Sequence, residues 1–274
     1  MAFFEIDIAD ARKIIKVIHE KYYFDLSDYS IISLKRRFEK VMQHFNLKNA
    51  ETLIERLSDD KGFIEDFLSS ISVESTEMFR DPSFWSYLQK DFFPSELAKN
   101  KKIKIYVPFS VSGDELYSLC LLIKESGWQE NFEITTSCIS NKLIENIKSG
   151  FFRTNKIEVS KENYKAINEN YMLSDYLSTQ NDCVFRHPRL IEDVIFLNQR
   201  LDLPDSLHDF NMVLFRNKMI YYNIYLQEKI MYYLYEKLVS GGFLFIGIKE
   251  ITGQNSGDKF KVIHPEENIY IKLG

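Results

Sequence analysis

Residues Ile105–Leu122 read IYVPFSVSGDELYSLCLL. An apolar run ends at a proline, a short polar turn follows, and a helical period opens on two acids. That is a buried strand turning sharply into a helix. In doubly wound α/β proteins such a junction forms nucleotide and cofactor loops, with backbone N–H groups aimed at the ligand from a helix N-terminus. Loops of this kind usually carry several glycines, so that backbone can lie against the ligand. This one keeps Gly113, and Phe109 stands where the chain leaves the strand. Asp114 and Glu115 also have a plainer use, since acids in a first helical turn complement the helix dipole.

Outward from that stretch, strands alternate with helices. IKIYVPF, FEITTSC, FNMVLFRN and FLFIGIKE read as strands. DELYSLCLLIKESG, ISNKLIENIKSG and NIYLQEKIMYYLYEKLVSGG read as helices, the last closed by its glycines. The alternation predicts a mostly parallel sheet covered on both faces. KFKVIHP and NIYIKL predict a terminal antiparallel hairpin. About 151–200 breaks the rhythm: MLSDYLST, CVFRHP and DVIFLNQ read as short strands of a small β-rich insertion.

Before all this, residues 1–90 read as an N-terminal helical domain, leaving 91–274 to the α/β domain. DIADARKIIKVIHEKY, SIISLKRRFEKVMQHFN, NAETLIERLSDD and GFIEDFLSSIS each place apolar residues on one stripe. Asp7 or Asp10 suits the cap of the first helix, and Ser30 that of the second.

Composition narrows the function. The 274 residues are 45% hydrophobic and 15% aromatic, enough to bury a sizeable core. A net charge of −5 argues against general nucleic-acid binding, which needs a basic surface to neutralise phosphates. No apolar run reaches the length of a spanning helix, and the acids of the opening MAFFEIDIADARK do not suit a secretion signal. The expectation is a cytoplasmic protein. Three scattered cysteines and five scattered histidines give no disulfide framework and no metal spacing.

Taken in order and spacing, STEMFRDPSFW (Ser75–Trp85), SGDELYS, LFRNKMIYYN (Leu214–Asn223) and GGFLFIGIKE (Gly241–Glu250) resemble the CheR-type chemotaxis methyltransferases. The wording of that family is close to TxFFRDP, GCSTGEEPYS, ATDI, CRNVLIYF and GGxLxLGxxE. The resemblance spans nearly the whole chain. It implies a helical N-terminal domain, a Rossmann-like methyltransferase domain with a small β-rich insertion, and methyl transfer from S-adenosylmethionine to glutamates of chemoreceptors. It implies cofactor contacts at Thr76, Arg80, Gly113, Glu115, Cys138, Arg200, Leu201, Arg216 and Asn217. Arg80 is expected to meet the cofactor carboxylate, a role suited to guanidinium, and Tyr221 to sit beside the transferred methyl. The plainer readings are a surface pair of Arg80 with Asp81, and a core aromatic at 221.

Several positions depart from the family wording. Phe109 replaces the first small residue of the loop; its ring either points into the cavity or shifts the loop. Cys138 stands where the family has the Asp of ATDI, which accepts from the ribose hydroxyls; a thiol is a weak partner for them. Glu74 and Arg200 replace two amides, and the pair are expected either to meet across the cavity or to turn to solvent. Asn211 replaces the Asp of the usual FDLI strand. Lys35, Arg36, Arg37 and Lys40 lie on one helix, read as a solvated charge run or as a face for acidic receptor helices. In some relatives the β-insertion grips a receptor peptide by strand addition. Three functions stay open: an S-adenosylmethionine-dependent protein-glutamate O-methyltransferase, a catalytically silent binding module of a signalling pathway, and a protein whose ligand lacks a ribose.

Overall fold

The computed structural model describes residues 5–72, 76–168, 172–201, 206–219, 222–250 and 259–274. The N-terminal part is a four-helix unit: α1 (Ile8–Tyr22), α2 (Ile31–His44), α3 (Ala50–Asp59) and α4 (Phe63–Ile71). Asp7 caps α1 by accepting from the Asp10 N–H at 2.7 Å. Asn49 and Thr52 close a reciprocal capping box on α3. Ser30 holds the cap position of α2 without a side-chain hydrogen bond. Ile14, Ile18, Leu34, Phe38, Leu53, Phe63 and Phe67 are fully or almost fully buried in the core between these helices.

A helical connection follows: α5 (Pro82–Tyr87), one wide turn (Leu88–Phe92) and α6 (Phe93–Leu97). The α/β part then runs β1 (Ile103–Val107), α7 (Asp114–Glu125), β2 (Phe132–Cys138), α8 (Asn141–Lys148), β3 (Phe151–Phe152), α9 (Ile157–Ile167), β4 (Leu177–Gln180), β5 (Cys183–Arg186), β6 (Ile195–Asn198), β7 (Phe210–Leu214), α10 (Ile224–Lys237), β8 (Leu238–Phe245), β9 (Phe260–His264) and β10 (Ile269–Lys272). Seven strands form one sheet in the order β6-β2-β1-β7-β8-β10-β9. Neighbours pair parallel from β6 to β8, and β10 runs antiparallel to β8 and β9. β1 sits at the centre, and its residues are buried apart from Lys104, as a strand covered on both faces requires. Chain order reverses beside β1, so the crevice at the carboxyl ends of β1, β2 and β7 is where such sheets hold ligands.

The insertion is a three-stranded antiparallel sheet, β3-β5-β4. DVIFLNQ does not belong to it: that segment forms β6, paired parallel with β2 from Thr135↔Ile195 to Cys138↔Asn198. Its mixed apolar and polar pattern reflects an edge strand, with Ile195 exposed. Helix α9 also lies inside the stretch read as β-rich. The glycines after α10 do not close that helix. It stops at Lys237 and the chain passes directly into β8, where Gly241 takes φ +73° beside a register shift against β7. The glycines mark a bulge, where an extra residue and a positive φ are needed. Asn211 lies toward the amino end of β7, away from the crevice, and accepts from the Lys104 N–H at 2.8 Å.

Candidate active site

The loop between β1 and α7 carries the decisive geometry. Phe109 holds φ +53°, the left-handed conformation usually left to glycine. Its N–H donates to Ser137 Oγ at 3.1 Å, and its ring rests on Tyr233 of α10, with centroids 5.6 Å apart, and on Phe215 at 6.3 Å. The loop therefore keeps a glycine-like backbone and lays the ring sideways onto an aromatic neighbour. Gly113 at φ +74° caps α7, and a Cβ there would meet Ile147 Cγ2 at 2.8 Å.

The acids that open α7 have separate partners. Asp114 is buried and accepts from Arg186 at 2.8 Å on one oxygen and from Lys156 at 3.1 Å on the other. Arg186, itself buried, also donates to the carbonyls of Ser112 and Phe151, each at 2.8 Å, and its guanidinium lies over Tyr117. The insertion is thus tied to the loop between β1 and α7 through one ionic knot. Glu115, also buried, lies 3.9 Å from Arg216.

Arg216 reaches from the end of β7 to Asp81 at 2.7 Å and to the Arg80 carbonyl at 3.3 Å, over the Phe84 ring at 3.9 Å. Burial pulls its pKa down, while Glu115, Asp81, Glu250 and Glu267 push it back up. Its Nε is buried with no hydrogen-bond partner among the described residues. Arg80 is half-buried with Glu77 at 3.7 Å, and Asp81 is taken by Arg216. The turn around them is strained, with Phe79 at φ +55° and Asp81 at +57°. Ser118 accepts from the Phe79 N–H at 2.8 Å, and the Trp85 indole donates to the Arg80 carbonyl at 2.9 Å. Thr76 is buried next to this turn, its carbonyl accepting from Lys156.

Asn217 takes φ +59°. The Glu250 carboxylate holds that turn by accepting from the N–H groups of Asn217 at 2.8 Å, Gly247 at 2.7 Å and Met219 at 2.6 Å. A carboxylate that gathers three buried N–H groups is a strong organiser of backbone. Lys218 donates to the Pro108 carbonyl at 2.9 Å and joins this turn to the β1 loop. Neither Glu250 nor Arg186 was marked by the sequence reading; the Glu ending GGxLxLGxxE was a signal, whereas Arg186 in CVFRHP offered none.

At the ends of β2 and β6, Cys138 is fully buried and Leu201 half-buried. Arg200 donates to the carbonyls of Tyr22 at 3.0 Å and Tyr23 at 2.8 Å, with its guanidinium 5.2 Å from the Phe24 ring. It caps the end of α1. Glu74 and Tyr221 lie outside the described residues. Of the four basic residues on α2, Arg36 and Lys40 are exposed and Lys35 lies near Glu5 and Glu39. Arg37 is buried and donates to the Ile71 carbonyl at 3.1 Å. They do not share one face.

Between the four-helix unit and the sheet lies a cavity of about 690 Å³, within the range of small-molecule sites. Phe109, Ser110, Val111, Ile139 and Leu201 line it from the sheet side; Phe24, Leu26 and Leu34 line it from the helical side. Among the described residues no helix is long and apolar enough to cross a membrane, and no cluster of three or more His, Cys, Asp or Glu could hold a metal.

Two family models match in chain order. The all-alpha domain of CheR methyltransferases matches residues 9–72, and the SAM-binding domain of CheR methyltransferases matches residues 74–269. Cher3 of Pseudomonas putida is 26% identical over 264 residues, covering 96% of each chain. The chemotaxis protein methyltransferase of Borreliella burgdorferi is 22% identical, covering 90% of this chain and 89% of its own. The Listeria innocua protein of the same name is also 22% identical, covering 86% and 87%. Among solved structures, the N-methyltransferase NodS of Bradyrhizobium japonicum with S-adenosylhomocysteine aligns at TM-score 0.35 and 8% identity, over 71% of this chain and 88% of its own. At that score the likeness carries no weight.

For S-adenosylmethionine, the apolar cavity walls at Ile139 and Leu201 suit a flat base. Arg80 has the guanidinium chemistry for an anionic end but is not among the residues lining the cavity, and Arg216 is already neutralised by Asp81 and Glu115. For the ribose, Cys138 offers no anionic acceptor. With the all-alpha model matched over residues 9–72 and the SAM-binding model over residues 74–269, the chain belongs to the CheR methyltransferase family.

Proposed function

We propose that the protein is a methyltransferase that esterifies side-chain glutamates of a chemoreceptor-like protein from the cytoplasmic side, using S-adenosylmethionine. The observation that carries the reading is the posture of Phe109: left-handed backbone kept, ring laid on Tyr233, and a cavity of about 690 Å³ still bordered by the loop.

When bound, the cofactor supplies an electrophilic methyl group on a sulfonium. The remaining work falls to the chain. Arg80 holds the cofactor carboxylate and Glu115 the ammonium beside it; Ile139 and Leu201 flank the adenine. Thr76, Gly113, Arg216 and Asn217 keep the backbone around them in place. Tyr221, the counterpart of the Tyr in the family wording LIYF, orients the incoming side chain. A glutamate is already ionised at neutral pH, so positioning matters more than a general base. Receptor helices rich in acids are met by the exposed Arg36 and Lys40, with Lys35 at their margin, and receptor segments also reach the β-insertion. The test is transfer of labelled methyl from S-adenosylmethionine to a chemoreceptor cytoplasmic fragment. Base-labile label, lost in Arg80→Ala, is expected.

A second reading has one observation behind it. Cys138, fully buried at the ribose end, favours a silent relative that keeps the shape for binding a signalling partner. A protein that captures the receptor fragment equally well with and without S-adenosylhomocysteine, and never labels it, would favour that reading.

A further inference from the structure

We propose that the loop between α1 and α2, residues 23–29, is part of the cofactor site, and that the Asp25 carboxylate accepts from the ribose hydroxyls in place of the acid that Cys138 replaces. This rests on the cofactor reading above.

The loop is pinned at both ends across the cavity. At its start, Arg200 from the end of β6 donates to the carbonyls of Tyr22 and Tyr23 and stacks over Phe24. At its finish, Tyr29 forms an isolated bridge with Tyr222, with the two rings edge to face at 5.4 Å. Lys229 of α10 pairs with Asp28, and the Asn223 N–H donates to the Asp28 carbonyl at 3.4 Å. Between the pins, Phe24, Asp25, Leu26, Asp28 and Tyr29 line the same cavity as Ile139 and Leu201. Ile139 directly follows Cys138, and Leu201 directly follows Arg200, so these two mark the carboxyl ends of β2 and β6 where a nucleoside lies in this sheet type.

Among the described residues three acids line the cavity: Asp25, Asp28 and Glu236. Asp28 is committed to Lys229, and Glu236 belongs to α10, which packs on β7 and β8 rather than on β2 or β6. Asp25 adjoins Phe24, the residue that Arg200 draws onto the end of β6. One of its oxygens accepts from the Ser27 N–H at 2.8 Å. Burial works against its charge, but the Ser27 hydrogen bonds with His19 and Lys229 nearby more than offset that, so its pKa lies below the usual value and the carboxylate is ionised at neutral pH. An ionised carboxylate has capacity for two ribose hydroxyls beyond its Ser27 bond.

The experiment is calorimetric titration of the full chain with S-adenosylhomocysteine and with its 2′,3′-dideoxy analogue. The proteins are wild type, Asp25→Asn, Cys138→Asp and the double variant. Asparagine retains the acceptor for Ser27, and an unchanged melting curve verifies the fold. Asp25→Asn is expected to weaken S-adenosylhomocysteine about tenfold and to leave the dideoxy analogue unchanged, with Cys138→Asp restoring affinity in the Asp25→Asn background. Equal weakening of both ligands, or no change in either, would overturn the role of Asp25 while leaving the cofactor reading intact. A wild type and a Cys138→Asp variant that both take up no S-adenosylhomocysteine would overturn both.

Discussion

Phe109 and Gly113 both hold positive φ within one short loop, yet a side chain is tolerated at only one of them. At 109 the ring has aromatic neighbours to lie on. At 113 the space is filled by Ile147. Gly113→Ala is therefore expected to destabilise by roughly 1–3 kcal/mol through strain in the left-handed region, read as a lower urea midpoint at unchanged slope. The buried thiols offer a second test. Burial pushes Cys120 from its ordinary 9.0 up to about 12, with Asp193 adding to the rise. Its neutral form is favoured in the folded protein, so that contribution to stability is complete below about pH 9 and lost as pH climbs toward 12. At pH 8 a maleimide is expected to modify half-buried Cys183 first, with Cys120 and Cys138 reacting only on unfolding; prompt labelling of Cys138 would contradict its burial.

Among the elements, the turns that follow β1 and β7 have separate organisers. The first is fastened to the insertion by Arg186 and Lys156 on Asp114; the second is gathered by Glu250. Glu250→Gln exchanges one acceptor oxygen for a donor facing backbone N–H groups. It is expected to cost about 2–3 kcal/mol and to weaken cofactor binding with it, as seen in a urea titration with and without S-adenosylhomocysteine. Most elements were legible in the sequence because their period and punctuation agree: IKIYV as a buried strand, Asp7 as a cap of α1, KFKVIH and NIYIK as a hairpin. Errors came where one signal has two physical uses. Gly241 and Gly242 suit a helix end and a strand bulge alike, and the edge position of β6 blurred its membership in the large sheet. Arg186 was silent because its partner is 72 positions away and only the fold brings them together.

Across the whole molecule, the four-helix unit is fastened over the crevice by contacts on two sides, Arg200 on α1 and the Tyr29–Tyr222 bridge beside Lys229 and Asp28. Arg200→Ala removes one side. Faster amide exchange over residues 20–29 is expected, with α7 and β1 unchanged; equal exchange in both proteins would show that Arg200 does not hold the loop. From sequence, Arg200 was recognisable as a departure at the cofactor border. Its reach to the end of α1 was not, because nothing in one chain's order says how two domains meet. The claim on which the rest stands is that this cavity binds the family's cofactor. Calorimetric titration of the wild-type protein with S-adenosylhomocysteine tests it most directly. Micromolar binding that falls in Arg80→Ala is the expected result. No heat from the wild type, with binding gained only in Phe109→Gly combined with Cys138→Asp, would contradict it.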